Sequence, residues 1–134
     1  MQSRMFPTLV LTLDALVLLG TGLVFVFAPM APLGTLGVES IAPEALTDIR
    51  AVYGGIELGI AAYLFTRLAK RKDLHEPLLL VTLIFTGMVI TRGYGMVVDG
   101  SGIRITIILL TVETLGAILS GAAWWQARKQ QSKA

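Results

Sequence analysis

The sequence predicts an all-α membrane protein, a single up-down bundle of four transmembrane helices, on three observations. The 134 residues are 54% hydrophobic and 15% charged, with a mean hydropathy of +0.75, whereas about a quarter of the residues of a soluble domain are charged. The apolar residues form four runs, each close to the roughly 20 residues that a spanning helix needs. Eight of the eleven basic residues lie outside these runs, in clusters. A chain of this length has no core large enough to bury so much apolar surface from water.

The four apolar runs place the predicted spans at residues 6–28, 46–66, 77–98 and 103–125, within one domain of residues 1–134. Turns rich in proline and glycine separate the runs. The runs are long and lack the strict alternation that is typical of membrane β-strands. We therefore expect helices throughout.

The basic residues predict the orientation of the chain, because lysine and arginine accumulate in cytoplasmic loops. The loop of residues 29–47 has no lysine or arginine. In a four-span chain the basic clusters all fall on the side of the membrane opposite to this loop. This places both termini in the cytoplasm and the protein in the inner (plasma) membrane. These clusters are Arg4, then Arg67, Lys70, Arg71 and Lys72, and finally Arg128, Lys129 and Lys133.

Composition also bounds the chemistry. The chain has no cysteine and a single histidine, His75, so thiolate metal sites and cysteine nucleophiles are excluded. We expect no metal and no cofactor. A net charge of +2 is too small to indicate a nucleic-acid partner, and the expected partner is the lipid bilayer.

The most informative residues are the ionisable ones inside the predicted spans. Asp14, Glu57 and Glu113 lie near the bilayer midplane at 1.5 Å per residue, and Arg92 and Arg50 lie in the outer halves of their helices. Each such charge costs about 2.5 to 3.5 kcal/mol at a helix centre on insertion scales. We therefore expect these side chains to face the interior of the bundle.

Helical spacing groups the polar residues into a strip. Arg50, Tyr53 and Glu57 share one face of the second helix, and Arg92 shares a face of the third with Asp99. Small residues that allow close helix contact accompany them. The glycines predicted to pack helices are Gly54, Gly55, Gly59, Gly87 and Gly95.

Three interpretations of this strip remain open at the level of sequence. Arg92 could pair with Glu57 or Glu113 and simply fix the register of the helices. The strip could instead line a cavity that binds an anionic or polar-headed small molecule or relays protons. Finally, it could contact a second copy of the chain or a partner membrane protein.

Two stretches resemble a known family. Residues 48–59, DIRAVYGGIELG, resemble the second-helix signature of a family of small bacterial four-helix membrane proteins catalogued as a domain of unknown function. Residues 91–95, TRGYG, with the turn at 99–100, resemble its third-helix pattern. The resemblance implies a four-span inner-membrane protein without an established activity. It singles out Arg50, Tyr53, Gly54, Gly55, Arg92 and Asp99.

The leading functional hypothesis is a non-enzymatic protein that binds a small anionic or lipid-like ligand or supports a partner. Arg50 and Arg92 would hold the anionic group, Tyr53 would orient it, and Glu57 and Glu113 would balance the charge below.

Two alternatives belong to other classes. One is a proton-coupled small-molecule transporter that acts as an oligomer, with Asp14 or Glu57 as the exchanging carboxylate. The other is an intramembrane lipid or isoprenoid isomerase that uses a pair of carboxyl groups for acid–base chemistry.

Overall fold

The computed structural model describes residues 4–70, 73–102 and 104–131, and every regular element within these ranges is helical. The predicted all-α fold class is confirmed for them. Arg71, Lys72 and Lys133 of the basic clusters, and Ile103 at the start of the fourth predicted span, lie outside the described residues. The helices are α1 (Met5–Phe27), α2 (Met30–Thr35), α3 (Pro43–Ile49), α4 (Ile56–Ala69), α5 (His75–Val98) and α6 (Arg104–Gln131), and a π-helical segment, Arg50–Gly55, joins α3 to α4.

Three helices, α1, α5 and α6, are long and apolar enough to cross a membrane. Only a minority of the residues in the apolar stretches of these helices are buried, and many of their large hydrophobic side chains are exposed. An apolar exterior of this extent is compatible with a multi-pass membrane protein. The bounds of α1 and α5 agree with the predicted spans to within two residues, whereas α6 continues past Trp125 to Gln131.

The second predicted span, residues 46–66, lies within an unbroken helical run from Pro43 to Ala69. Pro43 occupies the first turn, where its missing N–H costs nothing, and Glu44 follows it near the positive end of the helix dipole. The π-helical segment divides the run, so none of its α-helical pieces by itself reaches the length of a span. A fourth spanning helix stays a prediction.

The region between α1 and α3 differs from the predicted loop because it contains α2. This short helix ends in a Schellman motif, in which the N–H groups of Val38 and Gly37 bond to the carbonyls of Leu33 and Gly34. Gly37 has a φ of +87°, a left-handed conformation that glycine adopts without steric cost.

The chain divides into two compact units, one of Leu13–Thr66 and one of Met1–Thr12 with Arg67–Ala134. In the second unit α5 packs extensively on α6, and a Cβ added to Gly116 would lie 3.0 Å from the ring of Phe85. The fully buried side chains of this pair of helices include Leu78, Val81, Ala123 and Ser120.

Candidate functional site

The π-helical segment positions Arg50 against the end of α1. The guanidinium group of Arg50 donates a hydrogen bond to the backbone carbonyl of Val26. Carbonyls in the last turn of a helix commonly have no partner within the helix, and a cationic donor there also interacts favourably with the helix dipole. Arg50 therefore connects the second predicted span to α1.

Tyr53 and Glu57 make the next two contacts with α1. The ring of Tyr53 stacks on Phe25 with centroids 5.2 Å apart, and 54% of Tyr53 is exposed. The carboxyl group of Glu57 is hydrogen-bonded to the side chain of Thr21. Its other oxygen, Oε2, is buried and has no hydrogen-bond partner among the described residues.

These contacts bring together the three residues that the spacing placed on one face. Arg50, Tyr53 and Glu57 meet successive positions back along α1, so they form one polar row that we call the Arg50 row. The Arg50 row has a cation at one end, a tyrosine that is 54% exposed in the middle and a carboxyl group at the other end.

Gly54 allows this approach of the helices. A Cβ at this position would lie 2.6 Å from Cγ2 of Val26 and 3.3 Å from the backbone oxygen of Gly22. Gly22 itself faces Leu58, whose Cγ atom would lie 3.0 Å from an added Cβ. Sequence reasoning found Gly54 but missed Gly22, since a glycine in α1 gave no indication of which helix it faces.

The second polar group is an ion pair between α5 and α6. Nε of Arg92 lies 2.7 Å from Oε2 of Glu113, and Nη2 lies 2.5 Å from Oε1, a bidentate arrangement that fixes both distance and angle. The side chain of Glu113 is 6% exposed and that of Arg92 26%. Thr106 and Ser120, seven residues either side of Glu113, are also buried.

Of the two partners that the sequence offered for Arg92, the structure thus shows Glu113. The ion pair joins α5 and α6, which pack extensively on each other, and the two charges neutralise each other. This geometry matches the interpretation in which Arg92 fixes helix register.

Asp14 and Asp99 take different positions. Asp14 is buried, with 6% of the residue exposed. Asp99 follows α5 directly and is exposed. Its N–H bonds to the carbonyl of Gly95, and its Oδ2 lies 3.4 Å from the position of a Cβ on that glycine. In the described part of the chain Asp99 forms no ion pair with Arg92, so the shared face does not produce one.

The structure corrects the prediction that Gly55, Gly59 and Gly87 pack closely against other helices. Among the described residues, no neighbouring atom lies within 4 Å of a Cβ built on Gly55, Gly59 or Gly87. These three therefore show no close helix contact within their own compact unit. The described residues also include no group of three metal-ligating side chains.

The family model described as "Domain of unknown function (DUF4345)" matches residues 7–126. The chain belongs to this family. The match runs from the first turns of α1 to the last turns of α6, so both the Arg50 row and the Arg92–Glu113 pair lie within the DUF4345 region, and the predicted membership in a domain of unknown function is confirmed. No curated protein and no solved structure matches the chain.

Proposed function

We propose that this DUF4345 protein is a four-span inner-membrane protein without enzymatic activity, whose Arg50 row binds an anionic small molecule or lipid headgroup. The helical run of residues 43–69 is about 40 Å long at 1.5 Å per residue, which exceeds the roughly 30 Å of a hydrocarbon core. With this run as the fourth span, the basic clusters put both termini in the cytoplasm. The Arg50 row then begins near the outer surface.

The observation that carries the proposal is the unequal use of the two arginines. A guanidinium group has five N–H donors, and Arg50 makes one hydrogen bond among the described residues. Its remaining donors suit a phosphate or carboxylate group, and Tyr53, which is 54% exposed, follows three residues later on the same face. Arg92 instead commits two donors to Glu113. We therefore assign the ligand to Arg50, and assign Arg92 to helix pairing.

Glu57 has a supporting part in this proposal. Its side chain lies below Arg50 on the same helix and balances the arginine charge within the membrane, where an unbalanced charge is costly. Tyr53 is held by its stacking on Phe25, so its hydroxyl is oriented before a ligand arrives.

Native mass spectrometry of the protein, released gently from its own membrane, tests the proposal. We expect a stoichiometric bound mass that disappears in Arg50→Gln. Arg104→Gln is the matched control because it removes an exposed arginine far from the Arg50 row in sequence, and it should keep the bound mass. A wild-type protein without bound mass, or an Arg50→Gln variant that retains it, contradicts the proposal. The same spectra report a homodimer or a partner membrane protein.

A second candidate function is proton-coupled transport by an oligomer. Two carboxyl groups favour it: Oε2 of Glu57 is buried without a hydrogen-bond partner in the described part of the chain, and Asp14 is buried. Carboxyl groups inside a membrane commonly carry protons in transporters. Here substrate addition should release protons, and this release should be lost in Glu57→Gln and Asp14→Asn. Proton release that persists in both variants excludes these carboxyl groups as the exchanging sites.

A further inference from the structure

The last turns of α6 extend beyond any hydrocarbon core that the helix spans. Its 28 residues correspond to about 42 Å, whereas the core measures about 30 Å. With the predicted span ending at Trp125, the segment 126–131 reaches about 9 Å further along the axis. That depth is the headgroup region of a phospholipid bilayer.

Two cations in this segment lie over two neighbouring indole rings. Cζ of Arg128 lies 5.8 Å from the ring centroid of Trp124, and Nζ of Lys129 lies 5.0 Å from that of Trp125. Both are within the range of a cation–π interaction. Trp125 is 52% exposed, and Arg128 and Lys129 are exposed.

The aromatic base of this cluster is attached to the rest of its unit. The His75 ring at the start of α5 lies 5.8 Å from the Trp124 ring. This contact restricts the rotamers of Trp124 and, through it, of the Arg128 side chain that lies over its ring. The cluster is thus a pair of partly ordered positive charges on an apolar base at headgroup depth.

From this arrangement we propose that the end of α6 binds the phosphate headgroup of an anionic phospholipid. Arg128 and Lys129 contact the phosphate, and the exposed Trp125 ring packs against the glycerol and upper acyl chains, as indoles do at membrane interfaces. A zwitterionic lipid offers the same apolar contact but carries an ammonium group that the two cations repel. The site is therefore selective for net negative charge, and it does not depend on the Arg50 row.

Fluorescence quenching tests this directly, because Trp124 and Trp125 are the only two tryptophans of the chain. The full-length protein is reconstituted in phosphatidylcholine vesicles that contain a fixed fraction of brominated lipid, either phosphatidylglycerol or phosphatidylcholine. Bromine quenches the fluorescence of an indole only when the brominated lipid lies next to it, so the two quenching curves give the relative affinities of the two lipids. We expect each of the two cations to raise the affinity for phosphatidylglycerol, relative to phosphatidylcholine, by about fivefold.

The double variant Arg128→Gln/Lys129→Gln should lose the preference, and the matched single variant Arg104→Gln at the other end of α6 should keep it. In the wild type, raising the salt to about 1 M should also reduce the preference, because the Debye length falls to about 3 Å. Inorganic phosphate added at constant ionic strength should leave the quenching unchanged.

Equal quenching of the wild type by the two brominated lipids overturns the proposal, as does an unchanged preference in the double variant. An equal loss of the preference for phosphatidylglycerol in Arg104→Gln shows a general effect of net charge and also overturns the proposal. Displacement by inorganic phosphate identifies a soluble anion as the occupant instead of a lipid. If the cations only stabilise the helix dipole, the double variant lowers the unfolding temperature without any change in lipid preference.

Discussion

Replacing Arg92 by alanine leaves the Glu113 carboxylate, whose side chain is 6% exposed, without its bidentate partner. Removing one member of a buried ion pair costs about 3 to 5 kcal/mol in soluble proteins. Arg92 itself is 26% exposed, so water or headgroups solvate part of its charge. We therefore expect Arg92→Ala to lower the free energy of unfolding by about 3 kcal/mol, the lower end of that range.

The same reasoning predicts recovery when both charges are removed together. Arg92→Met with Glu113→Leu fills similar volume without a buried charge, and such replacements are often neutral or stabilising. We expect the double variant to unfold within about 1 kcal/mol of the wild type, and so to be more stable than Arg92→Ala by about 2 kcal/mol or more.

Tryptophan emission during denaturant unfolding in detergent micelles measures these changes. Trp124 of α6 contacts His75 of α5, so its emission reports the separation of the two helices that the ion pair joins. Glu76→Gln is the matched control. It removes the Arg67–Glu76 pair, which is longer at 3.4 Å and whose glutamate side chain is 68% exposed, and exposed pairs contribute little.

Two outcomes would refute the reasoning about Arg92. Equal stability of Arg92→Ala and wild type would show that the pair does not hold α5 to α6. An Arg92→Ala protein that is as stable as the wild type but has lost a bound ligand would show that Arg92 belongs to the ligand site. The assignment of the ligand to Arg50 alone would then be wrong.

Two glycines give further predictions that the same unfolding assay checks. Gly54→Ala should destabilise by about 1 to 3 kcal/mol, since the new methyl group meets Val26 at 2.6 Å and overpacking has costs of that order. Gly59→Ala, in open space, should instead be neutral or stabilising by up to about 1 kcal/mol through helix propensity. Gly116→Val should loosen α5 from α6, because Phe85 already lies 3.0 Å from the first added carbon; unchanged stability would show that the ring moves aside freely.

Much of the fold follows from the sequence because lipid imposes a simple requirement. Any spanning segment must satisfy its backbone hydrogen bonds internally, so long apolar runs predict helices, and the bounds of α1 and α5 were predicted closely. The short helix α2 was missed, since proline and glycine within it argue against a helix. The hydrogen bonds of its Schellman end, which involve Gly37, stabilise the last turn of this helix.

The π-helical segment was beyond the reach of sequence reasoning for another reason. Residues 50–55, RAVYGG, contain residues that an α-helix also accepts, and the choice between hydrogen bonding to the fourth or fifth preceding residue depends on packing. The approach of Gly54 to α1 is a tertiary constraint of this kind. Periodicity could place Arg50, Tyr53 and Glu57 on one face, but it could not identify Phe25 and Thr21 as their neighbours.

Arg50 and Arg92 show that the position of an arginine along a helix indicates less about its function than the hydrogen-bond partners of its guanidinium group. Both lie in the outer halves of predicted spans, and charge counting treats them alike. Arg92 forms a bidentate ion pair with the carboxylate of Glu113 on the neighbouring packed helix, so its charge is neutralised inside the protein. Among the described residues Arg50 donates a hydrogen bond to a backbone carbonyl, which carries only a partial charge, so its guanidinium group keeps donors for a further anionic partner. Since π-helical segments are frequent at functional sites, the arginine that begins such a segment beside an exposed tyrosine is the one that an external anion would neutralise.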